Sequence, residues 1–212
     1  MKCGFIGLGV LGSKMAARIL DAGHSLQVYD RDTKAVDKLV AAGAINARSV
    51  QEATSNIDAL ITCLPSPAAC EEVMTGDGGA LSSLAAGNCW IEMSTTDVDE
   101  MKRLALLAGE KRIDVLECPA TGGVHRAAKG QMTLLVGGDE TLLQRYRPLL
   151  EIMSGQIVYM GEIGNASLIK AVTNLLCLVD LVAMGEALML AKRGGLDLTR
   201  CYEAITASSG SS

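Results

Sequence analysis

Residues 4–16, "GFIGLGVLGSKMA", decide how this chain is read. Gly7, Gly9 and Gly12 follow the spacing G-x-G-x-x-G, directly after an apolar strand pattern at residues 2–7 and at the opening of a helical pattern that Gly23 closes. In that setting each glycine has its own task. Gly7 permits a tight turn, Gly9 lets backbone approach a pyrophosphate, and Gly12 lets the helix pack against the strand. The phosphates then rest on the helix N-terminus, where free N–H groups and the helix dipole favour anions.

Working outward, "SLQVY" at residues 25–29 supplies a second buried strand and completes a strand–helix–strand unit. Asp30 ends it in "VYDRD", 18 residues past Gly12, where a carboxylate accepts hydrogen bonds from ribose hydroxyls. The expected cofactor contacts are therefore Gly7, Leu8, Gly9, Val10, Leu11 and Gly12, with Asp30 and Arg31. Asp30 favours NAD, because its charge repels a 2'-phosphate. Arg31 follows immediately and is able to grip that phosphate, so NADP stays open. The competing reading is a set of turn glycines followed by an ordinary strand-end aspartate.

The same alternation continues along the chain. "TKAVDKLVAAG" reads as a helix, "DALITCLP" as a strand, "AACEEVMTG" as a short helix, "NCWIEMS" as a strand, "DVDEMKRLALLAGEKR" as a helix and "IDVLECP" as a strand. "TLLVGG" adds a further strand and "DETLLQRYRPLLEIM" a helix. This pattern predicts an α/β fold, a doubly wound, mainly parallel sheet covered by helices on both faces. After "IVYMGEIG" the character changes: residues 165–193 are one helical pattern and 197–207 begin another. The expected division is a cofactor-binding domain at 1–162 and the start of an all-helical domain at 163–212.

Composition narrows the function classes. The 212 residues are 49% hydrophobic and 20% charged, with a formal net charge of -5. No basic cluster exceeds a Lys-Arg pair, so neither nucleic acid nor a membrane surface is an expected partner. The seven cysteines lack a CxxC pair and the histidine companions of zinc sites, which predicts reduced core thiols, no metal and a reducing compartment. "MKCGFIGLG" enters a strand pattern at once, so no leader peptide is expected and a cytoplasmic location follows. Residues 166–191 form the longest apolar stretch, but Lys170, Asp180 and Glu186 interrupt it. A helix buried in a protein core fits better than a membrane span.

Two further places carry chemistry. Gly122 and Gly123, in "CPATGGVHRAAKG" after a strand, are able to turn consecutive N–H groups toward one anion, as a carboxylate site requires. A plain flexible turn is the alternative, and His125 reads as a loop residue because no acidic partner stands beside it. Lys170 and Asn174 are spaced i, i+4, so a helix projects both from one face, with Thr173 beside them. The alternative for Lys170 is a lysine laying its stem along the surface.

At this point the residues line up with a family. "GFIGLGVLGSKMA", "CLPSPAACEEVM", "IEMSTTDVDE", "ECPATGGVHRAAKGQMTLLVGG" and "GEIGNASLIKAVTNLL", in that order, resemble the β-hydroxyacid dehydrogenases, the group of 3-hydroxyisobutyrate dehydrogenase, tartronate semialdehyde reductase and glyoxylate reductase. The resemblance implies a Rossmann domain followed by an all-helical domain, and hydride transfer between a nicotinamide cofactor and a small 3-hydroxy acid or semialdehyde. It implies that Lys170 is the catalytic acid/base and that Asn174 orients substrate beside it. Ser94, Thr95 and Thr96 match the segment near the nicotinamide, Leu64 and Pro65 the loop over the adenosine side, and Thr121, Gly122 and Gly123 the loop that binds the substrate carboxylate.

Thr121 stands where the family has serine, and Thr173–Asn174 where it has paired asparagines. His125 and Arg126 replace smaller or acidic residues, which points to a different substrate within the class. The resemblance also implies a longer chain, truncated here inside the helical domain, and a homodimer or tetramer when full length. An apolar setting is expected to lower the pKa of Lys170 and make it a usable proton donor and acceptor. The alternatives are an imine-reductase-like relative, against which Lys170 argues, and a non-catalytic NAD(P)-binding module.

Overall fold

Strand β1 (Lys2–Ile6) is buried from Cys3 onward and runs into the glycine-rich turn that starts α1 (Gly12–Asp21). The computed structural model describes residues 1–210. The chain continues through β2 (Ser25–Tyr29), α2 (Thr33–Ala41), β3 (Ile45–Asn46), α3 (Val50–Ala53), β4 (Ala59–Thr62) and α4 (Pro67–Thr75). A 3-10 turn at Ala80–Ser82 leads to β5 (Cys89–Glu92), α5 (Val98–Glu110), β6 (Asp114–Glu117), β7 (Ala120–Thr121) and α6 (Val124–Ala128). Then come β8 (Met132–Gly138), α7 (Glu140–Met153), β9 (Ser154–Gly161), α8 (Asn165–Arg193) and α9 (Leu198–Thr206).

Among the described residues the strands form one sheet in the order β3-β2-β1-β4-β5-β6-β8-β7, with β9 also paired to β8. From β3 to β6 every pairing is parallel, whereas β8 runs antiparallel to β6 and to β7. The chain winds outward from β1 in both directions, so the crossovers on its two sides diverge and leave a crevice at the carboxyl ends of β1, β2 and β4. That is where doubly wound folds bind ligands.

Both faces of the sheet are covered. Adjacent residues of one strand enter opposite cores: Phe5, Ile61 and Ile91 pack with Met15, Ile19 and Tyr146, while Ile6, Leu60 and Trp90 pack with Met74, Met101 and Leu104. This is why the central strands read as continuous apolar runs instead of alternating ones. The fold class expected from the sequence is the one observed.

Three strands escaped sequence reading. β3 and β7 have two residues each, too few for a periodic signal, and β9 is only partly buried along its length.

The chain forms two compact units, one of Met1–Lys170 and a second that begins at Ala171. In the second unit α9 is capped by Asp197, whose carboxylate accepts from Arg200 N–H, and Gly195 takes a positive φ of 77° in the turn before it.

The expectation that residues 166–191 lie in a core is corrected here. In α8 only Ala166, Ser167 and Lys170 are buried, and no described residue after Lys170 is. Leu175, Leu178, Leu181 and Leu190 are each at least 60% exposed. The reason is geometric: a helix of this length extends about 43 Å, and among the described residues α9, about 13 Å long, is too short to sheathe it. By length and composition alone α8 also passes as a membrane span. The cysteine expectation needs the same amendment, because Cys177 on α8 is exposed and Cys63 and Cys201 are partly so.

Candidate functional site

The crevice at the carboxyl ends of β1, β2, β4 and β5 is a cleft of about 540 Å³. Its floor is the glycine turn, formed by Gly7, Gly9, Val10, Leu11 and Gly12. Gly7 has φ +97°, and a Cβ there would collide with the Cys63 carbonyl oxygen of the neighbouring strand end. A Cβ on Gly12 would strike the Gly7 carbonyl, so the helix could not approach the turn. Gly9 is different: a Cβ there would meet no protein atom. The protein itself has no steric need for glycine at 9, and the vacated volume faces the cleft, as close backbone approach to a pyrophosphate demands.

Helix α1 reinforces this. Its N-cap, Leu11, provides no side-chain hydrogen bond, and its first turn holds no acid. In contrast α2, α4, α5 and α7 are capped by Asp32, Ser66, Asp97 and Asp139. The positive end of α1 is thus left without an internal anion, in the element that meets the cleft.

Asp30 lines the cleft just beyond β2, and its carboxylate is aimed by two backbone donors: Leu8 N–H at 2.5 Å and Asp32 N–H at 2.8 Å. Each oxygen retains a lone pair for a further hydroxyl donor. Leu8 itself does not line the cleft; it is 2% exposed and packs beneath, so its contribution is the N–H that fixes Asp30. Arg31 lines the rim, and its guanidinium meets Glu72 of α4 at 2.6 Å.

The opposite wall comprises Cys63, Leu64, Pro65, Met93, Ser94 and Thr95. Here a buried polar network sets the geometry. Glu92 is 1% exposed and accepts from Thr62 Oγ1 and from Ser94 N–H, both at 2.5 Å, while Trp90 Nε1 donates to Thr62 Oγ1 at 2.7 Å. Ser94 Oγ in turn accepts from Leu64 N–H at 2.7 Å, tying the two cleft-wall loops together. Burial pushes the Glu92 carboxyl above its ordinary value, against the opposing pull of those donors. Burial likewise pushes the Cys63 thiol up to about 12, with the Glu92 charge adding to it. Thr96 does not line the cleft; it is buried, and its hydroxyl has no hydrogen-bond partner.

Thr121, Gly122 and Gly123 lie outside this cleft, at the end of β7 and in the turn into α6. The two glycines have φ of +126° and +79°. They are exposed, as are His125 and Arg126. Lys170 sits in the second turn of α8, 8% exposed, at the close of the first unit. Asn174, a helical turn further along α8, is exposed.

Three residues were missed by sequence reasoning. Glu117, fully buried at the end of β6, accepts from Gly164 N–H at 2.7 Å and from Ser167 N–H at 2.6 Å, holding the start of α8. Ser167 is buried with an orphaned hydroxyl, three residues before Lys170. Glu92 is the third. The available signal for the two carboxylates was a glutamate closing a strand directly after apolar residues, as in "WIE" and "VLE".

Residues 2–161 match the family described as the NAD binding domain of 6-phosphogluconate dehydrogenase, and residues 164–212 match the NAD-binding family of NADP-dependent 3-hydroxyisobutyrate dehydrogenase. The chain is 37% identical to an NAD-dependent L-serine dehydrogenase of Pseudomonas aeruginosa over 97% of its length and 69% of that protein's. It is 34% identical to 2-(hydroxymethyl)glutarate dehydrogenase of Eubacterium barkeri over its full length and 70% of that protein's. Among solved structures, the Mycobacterium tuberculosis 3-hydroxyisobutyrate dehydrogenase with L-serine superposes with a TM-score of 0.90 at 32% identity, covering 99% of this chain and 71% of that one. The glycine turn at the cleft floor, the Asp30 carboxylate at its side and these matches along the whole chain agree: the chain belongs to the β-hydroxyacid dehydrogenase family of NAD(P)-dependent oxidoreductases.

Proposed function

We propose that this chain oxidises a small β-hydroxy acid to its semialdehyde, or reduces the latter, with Lys170 as the proton-transferring residue. The single observation that carries the reading is Lys170 itself, an ammonium-bearing side chain that is 8% exposed on a helix whose start is clamped by the buried Glu117. Lysine is rarely buried without a task or a partner. The orphaned hydroxyls of Ser167 and Thr96 support the same reading, since buried hydroxyls without partners are unusual unless a ligand completes them.

In this reading the pyrophosphate rests on Gly9 and the α1 N-terminus, Asp30 accepts from the adenosine ribose, and Leu64 and Pro65 border the adenosine. Ser94 and Thr95, with Thr96 behind them, border the nicotinamide. Asp30 makes NAD the preferred form. The nicotinamide, when bound, supplies or takes the hydride. Lys170 Nζ takes the hydroxyl proton as the substrate carbon gives up its hydride, and the C–O single bond becomes a carbonyl; reduction returns the proton to that oxygen. Thr121, Gly122 and Gly123, with Asn174, hold the substrate carboxylate so that the reacting carbon is oriented, which is a matter of position as much as charge.

The substrate class follows from the relatives' chemistry. L-serine, 2-(hydroxymethyl)glutarate and 3-hydroxyisobutyrate each carry a hydroxyl on the carbon β to a carboxylate. The protein acts in the cytoplasm, and the apolar surface of α8 is covered in a homo-oligomer. Initial rates on β-hydroxy acids and their α-hydroxy isomers, with NAD and NADP in parallel, test the proposal. Turnover confined to the β series is expected; turnover of α-hydroxy acids alone would overturn it.

A further inference from the structure

At the adenosine end of the cleft, a guanidinium that could read the cofactor is already engaged. Arg31 follows Asp30 directly and lines the rim, with Ala69 and Val73 of α4 opposite. Glu72 lies between those two on the same helix, and its Oε2 is 2.6 Å from Arg31 Nη2. The bond joins the loop after β2 to α4 across the rim, and it holds the Arg31 guanidinium more firmly protonated than usual.

Arg31 is the cationic group beside the ribose-binding Asp30, and a 2'-phosphate placed there would need its planar fork of donors. Glu72 competes for that fork. It also leaves the rim, counted over Asp30, Arg31 and Glu72, with two carboxylates against one guanidinium, a balance that opposes a dianion and leaves an uncharged ribose hydroxyl unaffected.

We infer that Glu72 is a specificity-determining residue: by holding Arg31 it biases the cleft against NADP and toward NAD. The inference rests on reading the cleft as the dinucleotide site. Because both side chains are well exposed, at 73% and 62%, the pair is weak and biases the choice without dictating it. Removing the Glu72 charge is expected to tighten NADP binding by roughly two- to fivefold, the scale of one exposed ion pair, with NAD affinity unchanged within about 1.5-fold.

The test is a set of calorimetric titrations of NAD and NADP into four proteins: the wild type, Glu72→Gln, Arg31→Ala and the double variant. Binding is read without any need for turnover. The expected result is a shift of the NAD/NADP affinity ratio toward NADP in Glu72→Gln that largely vanishes when Arg31 is absent. An unchanged ratio in Glu72→Gln would overturn the inference. An equal shift in the Arg31→Ala background would overturn it too, because Glu72 would then act independently of its hold on Arg31. A wild type that binds neither nucleotide would overturn the reading of the cleft and this inference with it, and is recognisable as that separate failure.

Discussion

At the scale of single residues, the three glycines of the turn do different work, and substitution separates them. Gly9→Ala adds a methyl that touches no protein atom, so the fold should keep its melting temperature within about a degree or two while cofactor affinity falls by at least about tenfold. Gly12→Ala places the same methyl against the Gly7 carbonyl and should cost stability, on the order of 1–3 kcal/mol as overpacking does. Thermal melts and cofactor titrations of the two variants check this; equal loss of stability in both would contradict it.

The cysteines separate similarly. Cys63 borders the cleft, yet burial holds its thiol up to about 12, leaving roughly one part in ten thousand as thiolate near pH 8. Iodoacetamide labelling followed by mass spectrometry should therefore spare Cys63 in the folded chain and modify it only after unfolding. The grouping of residues around the cleft was the most legible in sequence. Gly7, Gly9, Gly12 and Asp30 declare themselves by spacing, because the turn and strand that place them are local. Glu117 does not, since its partners lie 47 and 50 residues away and only the folded sheet brings them near.

At the scale of elements, β5 carries the cleft wall from inside. Trp90 and Glu92 are neighbours on one face of that strand, and their hydrogen bonds meet at Thr62 of β4, so a network in the core fixes where Ser94 stands. Glu92 has a pKa raised above its ordinary 4.5 by burial. A carboxyl whose folded value lies above its unfolded one contributes stability in full below the unfolded value and loses it as pH rises through the folded value.

Glu92→Gln removes this titration. The variant's stability deficit relative to wild type should therefore shrink as pH rises from about 4 to about 8. Urea unfolding at the two pH values measures it, and a deficit that grows with pH would contradict the assignment. Most strands and helices of the sheet domain were readable because both faces are buried and each exceeds one period of its pattern, whereas β9 is long enough but only partly buried. β3 and β7 were not, because two residues cannot display a period.

At the scale of the whole molecule, the first unit closes its own accounts: two cores cover the sheet, and the cleft lies wholly within Met1–Lys170. The second unit has no buried residue among those described, although its sequence is as apolar as a core. Apolar pattern reports that a helix wants cover, and it is silent on where the cover comes from. That is why the expectation of a buried helix over 166–191 failed while the expectation of a helix there held.

The central claim is that Lys170 moves the proton in a site whose cofactor is held elsewhere, by the glycine turn and Asp30. The most direct test is turnover on a β-hydroxy acid, with cofactor affinity measured in the same preparation, for wild type and Lys170→Ala. The account predicts a loss of roughly 10²- to 10⁴-fold in kcat, the usual worth of a positioned acid/base, with cofactor affinity unchanged within about twofold. A variant that keeps its rate within tenfold, or that loses rate and cofactor binding together, would contradict it.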